Sequence, residues 1–227
     1  MTDFTPLDNP AWSSLATGHR AMARTHGLAA RYPRDISPIA AIREPSRQAL
    51  DDLRALTERG EIVGFVTAFD VPIPDGWEVM LKRMIDQMVC EDFHPASAIE
   101  PLALSEKDVP EMIALTKETQ PGPFEHGTIG MGRYIGVRDA DGTLIAMAGQ
   151  RMSLTNFREI SAVCTSPKHQ GKGHAGRLMT ILANEIIAEG KIPILHVKTE
   201  NASAKHLYTR LGFRVRTPMH FNVIRLG

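Results

Sequence analysis

Apolar residues along the chain recur with two different periods, and the change from one to the other outlines its elements. Ala175, Leu178, Met179, Leu182 and Ile186 fall on one face at helical spacing, and Ala204, Leu207, Tyr208 and Leu211 repeat that spacing further on. Apolar runs at 157–165 and 192–199 predict the strand before each helix, while 213–217 and 221–224 predict a closing hairpin. Upstream, 99–104 reads as a strand and Ser105 as the cap of a helix carrying Val109, Met112, Ile113 and Leu115. A long loop, 121–131, leads into a hairpin of 134–137 with 144–152 across the turn at 139–142.

The first part of the chain carries the same kinds of signal more weakly. Asn9 or Asp8 caps a first helix with Pro10 in its opening turn, 36–42 and 62–69 predict strands, and 46–59 predicts a helix carrying Leu50, Leu53 and Leu56. Residues 77–90 are ambiguous, because Leu81, Met84, Ile85 and Met88 suit a helix while the Val, Ile and Trp content suits strands. Met80, Met84 and Met88 are read as core filler rather than a soft metal stripe. Pro95 and small residues around 92–99 mark a boundary, giving a small α/β domain at 1–95 and a second domain at 96–227.

Composition narrows the function classes. Lys plus Arg and Asp plus Glu are both 26, so formal net charge is zero and nothing favours nucleic acid or an anionic membrane. Cys90 and Cys164 make no disulfide framework, and no basic segment followed by an apolar run opens the sequence, which together point to the cytoplasm. His169, His174 and His196 lack a ligand set, so no metal is expected.

The chemistry concentrates at 163–176, VCTSPKHQGKGHAG, where a strand passes through a polar loop into glycines that open a helix. Free N–H groups and the helix dipole favour a phosphate there. A P-loop is excluded because Lys172 is followed by Gly173 rather than Ser or Thr. Gly171, Gly173 and Gly176 do spell the dinucleotide fingerprint, but 166–170 separates them from the strand and only 177–227 follows. The run from Gln170 to Ala175 instead matches Q/R-x-x-G-x-G/A, and 195–213, LHVKTENASAKHLYTRLGF, follows with a strand, an asparagine and a helix ending L-Y-x-x-L-G-F. In these two blocks the chain resembles the GNAT superfamily of N-acetyltransferases, strongly over 157–213 and plausibly back to Ile99.

The resemblance implies an α/β (α+β) fold, a mixed, mostly antiparallel sheet flanked by helices. For the 1–95 domain, a degenerate copy of that fold is a reading by analogy only, with a role in shaping the acceptor site or a homodimer contact. It also implies acetyl-CoA as co-substrate, no metal, and a small-molecule amine or peptide N-terminus as acceptor, in direct transfer through a ternary complex. Cofactor contacts fall on Val163, Cys164, Thr165, Gln170, Gly171, Lys172, Gly173, His174, Ala175, Gly176, Asn201 and Tyr208. Tyr208 matches the family's donor to the departing thiolate, and Glu159 stands where some members carry a general base, with His126, Glu125 and His196 in reserve. Strict strand alternation puts Glu159, Ser161, Val163 and Thr165 on one face and Cys164 on the other, which argues against a cysteine acyl intermediate. Charge pairing of Glu159 with Arg158 or Arg151 is the bland reading of that carboxylate. A non-catalytic acyl-CoA-binding or regulatory module is the alternative function.

Overall fold

The computed structural model describes residues 2–96 and 100–227. In chain order it contains α1 (Pro10–Ala16), β1 (Arg24–His26), β2 (Ala29–Arg31), β3 (Ala40–Ile42), α2 (Arg47–Ala55), β4 (Ile62–Thr67) and β5 (Trp77–Val89). Then come β6 (Leu102–Ala103), α3 (Val109–Thr119), β7 (Tyr134–Arg138), β8 (Leu144–Ser153), β9 (Phe157–Thr165), α4 (His174–Ala188), β10 (Ile192–Lys198), α5 (Ala202–Arg210) and β11 (Arg214–Leu226). The expected caps form: Asn9 Oδ1 accepts from the Trp12 N–H at 3.4 Å, Ser46 Oγ from the Ala49 N–H at 3.2 Å, and Asn201 Oδ1 from the Ala204 N–H at 3.1 Å. The expected strand start at Ile99 lies outside the described residues.

Strands β1 to β3 form a small antiparallel sheet, and the other eight form one mixed sheet in the order β4-β11-β5-β10-β9-β8-β7-β6. Among the described residues, the ladder of β9 with β10 is parallel and the other ladders of that sheet are antiparallel. In β8, Ala146 and Ala148 pack with α4 and α5 side chains, whereas Met147 between them packs with α3. The helices therefore cover opposite faces of the sheet.

Residues 77–90 resolve as a strand. From Ile85 to Val89 every residue of β5 is buried, because β10 and β11 flank it on both edges. Within that run the polar Asp86 and Gln87 are answered by Lys205 and Thr199 and by Leu7 and Arg216, and the apolar positions left between them happen to fall at helical spacing. Met88 is core, but Met80 and Met84 are exposed, so a stripe of core methionines is not what their spacing records.

Two further expectations change. The closing hairpin is instead one continuous strand, β11, because β5 offers it a ladder from Trp77 to Val89. Pro218 is accommodated where β11 pairs with β5 alone, before β4 joins at His220. The division at 95 and 96 does not separate two sheets, since β4 and β5 belong to the same sheet as the C-terminal strands.

Residues before β4 pack over that sheet through a buried polar knot. His19 Nδ1 lies 3.0 Å from the Tyr32 hydroxyl, which is 2.9 Å from Ser14 Oγ; Ser14 Oγ in turn bonds both the N–H and the carbonyl of Ser153. Burial pushes the His19 pKa down to about 4, against about 6.5 in an unfolded chain. Between those values the unfolded state holds the extra proton, so stability falls as pH falls, by roughly 3 kcal/mol from this group between pH 7 and 4. We expect His19→Gln to remove about that much of the pH dependence of urea unfolding; an unchanged dependence would refute the assignment.

Candidate functional site

The glycine-rich turn owes its shape to two residues. Gly171 and Gly173 have φ of +77° and +79°, the left-handed region that side chains with a Cβ avoid. Gly173 caps α4 with no side-chain hydrogen bond to the first-turn amides, so those donors face outward along a helix of 15 residues. Gly176 serves packing: a Cβ there would stand 3.2 Å from Leu207 Cδ1, so its absence lets α4 approach α5. Gln170 Nε2 points back to the Thr165 carbonyl at 3.4 Å, a long contact that braces the turn.

The turn opens into a cleft of about 940 Å³. The cleft exists because β9 and β10 pair only through 157–159 and 192–194 and then separate. Val163, Cys164 and Thr165 line one side of the gap, and His196, Val197 and Lys198 the other. Gln170, Gly171, Gly173, His174, Ala175 and Gly176 close its outer end, and Asn201 and Tyr208 its wall. Lys172 is exposed and outside the lining, so that expectation has no support in the geometry. The Nδ1 atoms of His169 and His174 are buried in this lining without a partner, which suits an acceptor-rich ligand such as a phosphate. Among the described residues no His, Cys, Asp and Glu group of three or more is placed to hold a metal ion.

Tyr208 is buried beneath the cleft, and burial, helped by Cys164 nearby, pushes its phenol up to about 12. It keeps its proton at neutral pH. Burial likewise pushes the Cys164 thiol up to about 11, so it is not a thiolate nucleophile.

Strict alternation in β9 fails at one residue. Ala162 has φ of +53°, and the ladder to β8 shifts register there. Ile160 and Val163 consequently pack toward α4 and α5, while Ala162 and Cys164 pack toward α3. The expectation that Ile160 shares a face with Ala162 and Cys164 is corrected by that bulge.

Glu159 is the second correction. Its side chain is fully buried, and Arg151 donates to it twice, Nε to Oε2 at 2.8 Å and Nη2 to Oε1 at 2.7 Å. His196 Nδ1 lies 2.8 Å from the same Oε1. Burial by itself would raise this carboxyl's pKa, but the Arg151 charge and hydrogen bonds, with His196, hold it well below the usual carboxylate range. Glu159 is an ion-pair partner sealed behind His196 and is outside the cleft lining. Pairing with Arg151 is therefore correct, in the interior rather than at the sheet surface; Arg158 donates instead to Gln150 and Ser153. Neither Glu125 nor His126 lines the cleft.

With the geometry in hand, comparison with known proteins is decisive. A GNAT-family protein from Novosphingobium aromaticivorans, provisionally named an acetyltransferase, is 36% identical and matches 98% of this chain and 99% of its own, with a TM-score of 0.88. The chain belongs to the GNAT family. The FR47-like protein family matches residues 134–221 of this GNAT chain. A mycothiol acetyltransferase from Tsukamurella paurometabola is 34% identical over an 89-residue alignment that covers 37% of this chain and 30% of that protein. A GCN5-related N-acetyltransferase from Kribbella flavida shares the fold, with a TM-score of 0.62 at 14% identity over 95% of this chain and 93% of its own.

Sequence reasoning missed Gln87, whose amide donates to the Leu7 carbonyl at 2.9 Å and lies 3.0 Å from His196 Nε2. Arg216 Nη1 donates to Gln87 Oε1 at 3.0 Å, which fixes the amide's orientation. The His196 ring therefore accepts at Nε2 and carries its proton on Nδ1, toward Glu159. No local signal marks Gln87, because its partners lie 80 or more residues away.

Removing one member of a buried ion pair strands the other. Glu159→Gln should lower stability by about 3 kcal/mol in urea unfolding, and adding Arg151→Met should recover most of that loss. Equal losses in the single and double variants would sink the ion-pair reading.

Proposed function

We propose that this GNAT-family acetyltransferase moves an acetyl group from acetyl-CoA to an amine, on a small molecule or a peptide N-terminus, within a ternary complex. One observation carries the reading: a single cleft joins the glycine turn, the unpaired edge of β9 and Tyr208. Backbone amides at Gly171, Gly173 and the start of α4 would hold the pyrophosphate. The arm would then run along Thr165, Cys164 and Val163, whose edge has no strand partner on the β10 side. Four residues of β9 span about 13 Å, so the thioester would arrive near Ser161, two residues from the last β9–β10 rung at Glu159.

The amine nitrogen attacks the thioester carbonyl, the carbon–sulfur bond breaks to release CoA as its thiolate, and the amine's proton passes to solvent water, from which the thiolate is reprotonated. In this reading Glu159 does not take that proton, since its oxygens are occupied by Arg151 and His196. Tyr208 supports the departing sulfur. Full transfer of a proton from a phenol near 12 to a thiolate whose thiol has a pKa of about 8.5 is uphill by roughly 5 kcal/mol. The contribution of Tyr208 is a hydrogen bond that strengthens as charge develops on sulfur. The cytoplasmic setting we propose rests on two buried free thiols, Cys90 and Cys164.

The sealing of Glu159 also favours a second reading, a module that binds acyl-CoA without turnover. Thermal-shift titration with CoA, acetyl-CoA and NADPH, followed by thiol release with a panel of amines, separates these. We expect stabilisation by both CoA species alone, by about 2.7 kcal/mol at 100 times the dissociation constant. Tyr208→Phe should lower kcat at least tenfold with little change in the KM for acetyl-CoA. Stabilisation by NADPH alone would overturn the proposal, and CoA binding without release from any amine would favour the binding module.

A further inference from the structure

The inner end of the cleft is closed by side chains rather than by backbone. The last rung joining β9 to β10 is Glu159 with Ile194, and two residues further along β10 stands His196. Its Nδ1 meets Glu159 Oε1 at 2.8 Å, so one side chain from each strand bridges the point where the strands part. Both side chains are buried, 4% exposed for His196 and 0% for Glu159. Neither has slack, for Gln87 stands against His196 Nε2 at 3.0 Å and Arg151 holds both oxygens of Glu159. Gln87 is itself fixed by the Leu7 carbonyl and Arg216.

We propose that the His196–Glu159 bridge is the end wall of the acyl site and restricts this chain to short acyl groups, with His196 as the specificity-determining residue. The inference rests on the acyl-CoA reading above, which brings the thioester to the junction of β9 and β10. An acetyl group ends at that junction. Each further methylene meets the His196 ring, which cannot swing aside without breaking its buried hydrogen bond to the Glu159 carboxylate behind it. An apolar chain also gains nothing from that polar surface. His196→Ala removes the wall while leaving Glu159 its two bonds from Arg151, so the carboxylate stays paired.

The test is calorimetric binding of free CoA, acetyl-CoA, propionyl-CoA and butyryl-CoA to the full chain, which needs no acceptor. In the wild type we expect CoA and acetyl-CoA to bind alike and butyryl-CoA at least tenfold more weakly, the scale on which a pocket discriminates one or two methylenes. His196→Ala should bring butyryl-CoA to within about threefold of acetyl-CoA. Equal wild-type affinity for acetyl-CoA and butyryl-CoA would overturn the inference and leave the acyl-CoA reading intact. A folded His196→Ala chain that still rejects butyryl-CoA would also overturn it. Should that variant not fold, the wild-type series decides alone. No binding of free CoA would remove the acyl-CoA reading and this inference together.

Discussion

A carboxylate with no access to water must be answered where it stands, and Glu159 is answered across five neighbouring strands. Arg151 reaches it from β8 and His196 from β10; Gln87 on β5 supports His196, and Arg216 on β11 supports Gln87. Those strands lie side by side in the order β11-β5-β10-β9-β8, so the chain of contacts crosses the sheet at right angles to its strands. Burying each ion is unfavourable by several kcal/mol, and only a nearly complete set of partners offsets that. The set is nearly complete here. It lies where β9 and β10 part, so the opening that makes the cleft and the charge network that braces its inner end are one construction.

Local signals carried much of this structure. The glycine turn, the helices after it, the caps at Asn9, Ser46 and Asn201 and the hairpin of β7 and β8 depend on residues close in sequence, and all were legible. What was not legible depends on distant partners. Residues 77–90 form a strand because β10 and β11 flank them, and both come more than a hundred residues later. β11 runs unbroken through Pro218 for the same reason. Alternation in β9 misplaced Ala162 and Cys164 because one left-handed residue, invisible to periodicity, moves everything beyond it to the other face.

Glu159 illustrates a subtler limit. Its position in β9 was read correctly, and Arg151 was already named as a partner. Only the structure shows the burial, and burial decides the chemistry: the same pair at a surface would be worth under about 1 kcal/mol and would leave the carboxylate free to exchange protons. Enclosed, with His196 proton-on toward it, the carboxylate is fixed in its charged form. Tyr208 shows the converse. Its helical stripe read as core while the LYTRLGF block favoured chemistry, and the side chain is both buried in the core and part of the cleft lining.

The N-terminal segment belongs to the same argument. β5 supplies a ladder to β10 and to β11, Met88 and Cys90 enter the core beneath α4 and α5, and Gln87 sets the tautomer of His196. Without residues 77–89, β10 and β11 would each expose an edge of unpaired amides and carbonyls in the middle of the sheet. Glu159 would keep Arg151, but His196 would lose the amide that directs its proton toward the carboxylate. The motifs that identify the family all lie after residue 156, yet the geometry that makes them a site is held by residues that precede them.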